Sequence, residues 1–396
     1  MGTVVAPSPS PAATAAARAD ARVPWHVLAV VFSSLCVLVG VIWDISWHQS
    51  IGRDTLFSAP HMAIYLGGVV AGVACGWLVL HTTFAGSASR RGAAVSFWRV
   101  FRGPLGAWVC IWGTFAMLTS APFDDWWHNA FGLDTKILSP PHALLAAGIG
   151  AINLGALLMV APLVNGASDD RSRRTLVRFY LVASGLILLM LGTISSEYHY
   201  RIYMHGSAFY IAAAIAFPMM LAAAARSAPA RWPATSAAAV YTLVTLVMMW
   251  ILPLFPAEPR LAPINHPVTN MVPPSFPLLI IVPALFYDLV MRRFGGDGRD
   301  TLLALALGIL FVVTFMAAQM PFAVFLMSDL AQNPVLAADN FPYQVSHDSY
   351  YYRRQFLPTD ADSGSFRNGM LIAMGAAALT TRIGLAWGDW LKRVRR

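Results

Sequence analysis

Charged side chains are what this chain has least of: Asp, Glu, Lys and Arg make up 12% of it, against 57% hydrophobic residues. With a mean hydropathy of +0.60, that balance excludes an ordinary soluble domain. Cysteine is equally scarce. Cys36, Cys75 and Cys110 are scattered and odd in number, which argues against a disulfide framework and against a thiolate metal site. They belong in an apolar core. No haem, flavin or iron–sulfur motif is present, so redox chemistry here needs a separate electron donor. The 17 methionines form no clear Met-x3-Met path for metal transport. Residues 1–23, rich in Ala, Pro and Ser, run into an apolar stretch without a cleavage site, and predict a disordered cytoplasmic tail rather than a signal peptide.

What fills the chain instead is apolar runs of membrane-spanning length. Ten can be read: 25–47, 61–83, 104–124, 142–164, 178–197, 205–225, 234–254, 275–291, 301–327 and 370–391. In lipid the backbone must satisfy its own hydrogen bonds, so each is a helix. The expected fold is all-α, a polytopic membrane helical bundle of about ten transmembrane helices built from repeated helical hairpins. Residues 24–226 form a six-helix metal-binding region; 227–396 add four helices and a long outer loop, 328–369. Pro283 and Pro321 interrupt the eighth and ninth spans, a tolerated source of kinks.

Orientation follows from the basic residues. With the N-terminus inside, 20 of the 27 Lys and Arg fall in inner segments and 12 of the 19 acids in outer ones. Both termini are therefore expected in the cytoplasm of a bacterial inner membrane. The net charge of +8 then reflects anchoring to the inner leaflet, with the lipid bilayer as partner and no nucleic acid.

Against this background one signature appears twice. Asp44, His48 and His61 recur as Asp124, His128 and His142, with Gly52, Asp54-Thr55, Ser58 and Pro60 matched by Gly132, Asp134-Thr135, Ser139 and Pro141. Acid and His four residues apart share one helix face. The second His follows a Pro that opens the next helix, and a short reversal returns it to the first pair. An acid at the end of an apolar helix is costly unless it has a partner. One carboxylate and two imidazoles form a metal site at the outer face, and the chain carries that set twice. Asp54 and Asp134 fit turn capping better than ligation. Trp43, Trp47, Phe57, Trp126 and Trp127 supply either a dry pocket or an interfacial belt.

A third hairpin echoes the pattern loosely, with Glu197, His199 and His205. Its acid and first His are two residues apart and lie on different helix faces. Metal ligation, or a simple Glu197–Arg201 pair, would each fit. His347, in the long outer loop, is a weaker ligand candidate beside the run Tyr350 to Arg354.

Two His and one carboxylate leave coordination positions open, as an oxygen-activating or hydrolytic metal requires. Copper is favoured by its affinity, with iron and zinc as alternatives. The string Trp47-His48-Gln49 … Arg53-Asp54-Thr55 … Pro60-His61, with Asp-x3-His-x12-His and then Asp-x3-His-x13-His, resembles the C subunit of the copper membrane monooxygenases, which oxidise methane, ammonia or short hydrocarbons. The likeness covers roughly residues 25–225. It implies two neighbouring copper sites, at Asp44/His48/His61 and Asp124/His128/His142. It also implies a homotrimer or a hetero-complex with other membrane subunits and an electron donor. The second site departs from the family in carrying Asp where Asn is usual, and spans seven to ten have no counterpart there. Three functions fit: oxidation of a small apolar substrate with O2, copper acquisition or delivery, or a structural subunit stapled by metal.

Overall fold

The computed structural model describes residues 23–52, 55–132, 139–258, 268–296, 298–326, 328–336 and 360–395. Most of the expected tail, together with Asp54, Asp134, His347 and the Tyr350–Arg354 run, lies outside them. Among the described residues the helices are α1 (Trp25–Ser50), α2 (Ala59–Phe84), the short α3 (Ala88–Ala93), α4 (Leu105–Phe131), α5 (Pro140–Gly166) and α6 (Asp170–Ile194). There follow α7 (Ser207–Ala216), α8 (Pro218–Ser227), α9 (Pro233–Ile251), α10 (Ile281–Phe294), α11 (Asp300–Leu326) and α12 (Ser363–Leu391). Nine apolar helical stretches are long enough to cross a bilayer, with α7 and α8 counted as one. The protein is an integral membrane helical bundle.

The sixth span, expected at 205–225, is found at Ser207–Ser227, and only the eighth departs from the expected ten. Pro218 joins α7 to α8 without breaking the span, since it replaces one backbone N–H and starts the second helix at its first turn. The eighth span, expected at 275–291, is a helix of 14 residues that begins only at Ile281. Pro273, Pro274 and Pro277 hold the chain extended ahead of it. Pro283 falls in the first turn of that helix, where it is tolerated, and α11 continues through Pro321. Between α3 and α4 lies a small antiparallel hairpin, β1 (Val95–Phe97) and β2 (Phe101–Gly103), with Phe97 opposite Phe101.

The first four long helices form two antiparallel hairpins, α1 on α2 and α4 on α5, which join through α2–α4 and α1–α5 contacts. Small residues set how closely the second hairpin closes. A methyl group on Gly148 would sit 2.8 Å from the Gly113 carbonyl, and one on Gly106 would sit 2.7 Å from the Gly155 carbonyl. Lipid tails are as apolar as side chains, so close van der Waals packing of this kind is what holds membrane helices together. The last helix, α12, packs on α7, α8 and α11 and carries the later spans onto the earlier ones.

Asp288 and Arg226 are ionisable groups of the bundle that are partnered. Asp288 on α10 accepts from the Ala234 and Thr235 N–H groups and the Thr235 hydroxyl, which caps the start of α9. Arg226 at the end of α8 donates to the Gly295 carbonyl at 2.6 Å and pairs with Asp300 and Asp389, tying α8 to α11 and α12. Replacing Gly148 with Val should splay the α4–α5 hairpin and lower stability by about 1–3 kcal/mol. Thermal unfolding in detergent reads this. Gly150→Ala is the control, because its methyl would meet only the Met190 sulfur at 3.7 Å.

Candidate metal centre

Both repeats sit where a hairpin turns, at one end of the bundle. Helix α1 runs unbroken through Asp44 and His48, so the four-residue spacing places both on one face. Ser58 and Pro60 start α2, and Tyr65 on its second turn donates to the Leu56 carbonyl at 3.0 Å, which pins the reversal. His61 is thereby returned to α1. Asp44 Oδ1 lies 3.3 Å from His61 Nε2 and its Oδ2 lies 3.7 Å from His48 Nε2. The second repeat builds the same figure. Asp124 Oδ2 is 3.4 Å from His128 Nε2, and its Oδ1 is 3.5 Å from His142 Nε2. In each site one carboxylate reaches both imidazoles, with a separate oxygen for each.

The opposite edge of three of the four rings explains this orientation. His48 Nδ1 is 3.2 Å from the Gly52 carbonyl, His128 Nδ1 is 3.1 Å from the Gly132 carbonyl, and His61 Nδ1 is 3.0 Å from the Thr55 carbonyl. A carbonyl oxygen only accepts, so the hydrogen of a neutral ring sits on Nδ1 and donates to it. The lone pair is then on Nε2, aimed at the carboxylate. Two lone-pair-bearing atoms then face one another across 3.3–3.7 Å in three of the four contacts, those of His48, His61 and His128. That arrangement is repulsive without a cation between them, whether a proton or a metal ion. A charge-assisted hydrogen bond would draw the atoms to about 2.7–2.9 Å. Ligands on one ion, with bonds of about 2.0–2.2 Å, stand roughly 3.0–3.5 Å apart, closer to what is seen.

Glycine supplies the carbonyl at both helix ends. Gly52 has φ +94° and Gly132 has φ +87°, a region that favours glycine. With ψ at −177°, Gly132 occupies a conformation essentially reserved for it. Nothing lies within 4 Å of an added Cβ at Gly132, so backbone conformation rather than space demands glycine there. Four residues separate each glycine from its His, and that shared spacing was the only sign of the role in the sequence.

Asp44 and Asp124 are largely sheltered, at 19% and 26% side-chain exposure, while His48 is 46% exposed. The sites are therefore open on one side. Ser50, one turn past Ser46 on α1, accepts from the Val272 N–H at 2.7 Å, so the Pro-rich segment before α10 is anchored beside the first site. Of the expected aromatic surround, Phe57 and Trp126 are 74% and 55% exposed and form part of a belt. Trp43 and Trp47 pack against the core.

The third hairpin is different. Glu197 makes no hydrogen bond or ion pair with His199, His205 or Arg201; Arg201 donates to the Leu336 carbonyl at 2.8 Å instead. His205 Nε2 is 3.4 Å from the Met320 carbonyl. His199 is fully buried between Phe209 and Phe217. Neither of its ring nitrogens has a well-aligned hydrogen bond; the nearby Ser195 carbonyl offsets burial only in part, and burial pushes its pKa down to about 3. The two-residue spacing separates the acid from the His, as a helical or 3₁₀ backbone requires.

Among the described residues, no group of three or more His, Cys, Asp or Glu is arranged closely enough to hold a metal ion. What the structure brings together is Asp44 with His48 and His61, and Asp124 with His128 and His142, each acid within 3.7 Å of both its imidazoles. No protein-family model, curated protein or solved structure matches this chain.

Two outcomes follow. Gly132→Ala should cost about 1–3 kcal/mol through backbone strain alone, seen as a lower thermal midpoint. His199 binds its proton far more readily when unfolded, since its folded pKa is depressed. Its neutral, buried form is therefore fully tolerated above about pH 6.5, and stability is lost progressively as pH falls from there toward 3. His199→Phe should flatten the stability profile across that window, as measured by denaturant titrations at several pH values.

Proposed function

We propose that this chain is a membrane copper protein, binding one ion at Asp44/His48/His61 and one at Asp124/His128/His142. The observation that carries this reading is the lone-pair apposition: Nδ1–H groups tied to backbone carbonyls, and Nε2 atoms converging on a shared carboxylate. Metal-bound histidines characteristically use one nitrogen for the ion and donate the other N–H to a carbonyl or carboxylate. The donor set has one charge and two neutral imidazoles, which suits copper, iron or zinc, and the affinity order places copper first. Three ligands leave positions open for a further small molecule.

The resemblance of the duplicated spacing to the copper membrane monooxygenases extends the proposal to oxidation of a small apolar substrate with O2, in a complex with an electron donor. Bound copper would supply the redox chemistry with O2. The chain's own residues hold the ligands: Gly52, Thr55 and Gly132 set the tautomers, and the hairpins bring His61 and His142 back to the acids.

Purified protein dialysed against copper should hold two ions per chain by mass spectrometry of the metal. His48→Ala and His128→Ala should each remove one, and the double variant both. Unchanged copper content in both single variants would defeat the proposal. Asp124→Asn should weaken the second site selectively, because the amide brings no charge. With copper bound, O2 consumption that depends on an added reductant and an apolar substrate would separate an oxygenase from a copper carrier. A carrier would exchange metal without consuming O2.

A further inference from the structure

From Thr55 to Phe123 the chain contains no Asp or Glu, yet Arg90, Arg91, Arg99 and Arg102 fall within this stretch. They surround α3 and the β-hairpin, at the end of the bundle opposite the Asp/His/His sites. None of the four pairs with a carboxylate among the described residues. Arg91 donates to the Gly86 carbonyl and Arg102 to the Arg91 carbonyl, while Arg90 and Arg99 are exposed. The cluster is thus positive and uncompensated.

The hairpin that presents it is firmly held. The Arg102 N–H donates to the Thr83 hydroxyl at 2.8 Å, and the Trp108 indole donates to the Val95 carbonyl at 3.3 Å. Phe97 packs on Trp108 and Trp112, with ring centroids 5.1 and 5.8 Å away. Its tip is costly. Val100 N–H closes on the Phe97 carbonyl, and the two residues between, Trp98 and Arg99, have φ +49° and +60°. A turn with both central residues left-handed ordinarily takes Asn-Gly, and a bulky residue there is an outlier. The result is that Trp98 projects outward, 78% exposed, next in the chain to the exposed Arg99.

Position selects the partner. Trp25, Trp77 and His81 stack at the same end, with centroids 4.9 and 4.8 Å apart, and mark the level where the spans leave the lipid. Exposed Phe84, Trp112 and Phe115 continue the apolar face of the hairpin along α2 and α4. An indole beside guanidiniums at that level matches a headgroup region: the ring lies among the first methylenes, and each guanidinium pairs with a phosphate. We infer that α3 and the β-hairpin form a binding site for anionic phospholipid headgroups. Arg90 and Arg99 hold the phosphate, and Trp98 anchors the tip.

The test uses the full-length protein in mixed phosphatidylglycerol and phosphatidylcholine micelles, with retained lipid counted by native mass spectrometry. Phosphatidylglycerol should be retained preferentially. Arg90→Gln with Arg99→Gln should reduce its retention by about fivefold for each charge, from about 1 kcal/mol per basic residue near an anionic surface. Arg171→Gln with Arg173→Gln, at the start of α6, should leave it unchanged. Trp98→Gly separates anchoring from folding: it relieves the left-handed strain, so the thermal midpoint should hold or rise while lipid retention falls. Equal retention of the two lipids, or full retention by the Arg90/Arg99 variant, would overturn the inference. So would an equal loss in the Arg171/Arg173 variant. Displacement by millimolar inorganic phosphate would point to a soluble anion site and would equally contradict a headgroup site.

Discussion

A neutral imidazole has one N–H and one lone pair, and the destination of the N–H decides where the lone pair points. In this protein, the Nδ1–H of His48 and His128 goes to a carbonyl that a left-handed glycine turns back toward the helix end. Everything at the two sites depends on that bond. With it, Nε2 faces the carboxylate one turn earlier on the same helix. If the ring instead donated Nε2–H to the carboxylate, its Nδ1 lone pair would face the carbonyl oxygen and that contact would turn repulsive. The glycine therefore converts a helix terminus, which always has carbonyls to spare, into a device for aiming ligands.

The second imidazole at each site comes from the neighbouring helix, so the geometry also depends on how tightly each hairpin closes. Glycine contributes again, now by the absence of a side chain: Gly113 and Gly148 let α4 and α5 approach until backbone meets backbone. Dispersion packing of this kind needs no water to drive it. An acid near the edge of an apolar helix is then tolerated because two imidazoles and a backbone-fixed pocket receive it. Asp288 and Arg226 follow the same rule with purely structural partners, a helix start in one case and two carboxylates in the other.

Much of this was legible in the sequence. Apolar length identified the spans, and helical periodicity put Asp44 with His48 and Asp124 with His128. The Pro-His at each helix start pointed to the returning ligand, and the structure does bring His61 and His142 back. What the sequence concealed was backbone conformation. Nothing local says that Gly52 and Gly132 lie at positive φ, or that their carbonyls serve a side chain four residues earlier. The eighth span is shorter than its apolar content suggests because three prolines keep the chain out of helix until the 3₁₀ turn Leu278–Ile280 leads into Ile281. The third hairpin was left open as a ligand set or an ion pair; in the structure Glu197 joins neither histidine nor Arg201. His199 turns into the aromatic core, a choice made by tertiary packing with Phe209 and Phe217 that spacing alone does not reveal.

The central claim of the proposal is that two imidazoles ligate each ion through Nε2, with both Nδ1–H groups of the first site remaining on carbonyls. Pulsed electron paramagnetic resonance of Cu(II) detects the remote, non-ligating nitrogen of a bound imidazole and counts how many there are. Protein carrying His128→Ala retains only the first site, and its copper should show two remote imidazole nitrogens, each protonated. Absence of remote-nitrogen modulation, or a signal unchanged when His48 is also replaced, would contradict the assignment of Asp44, His48 and His61 as a metal centre.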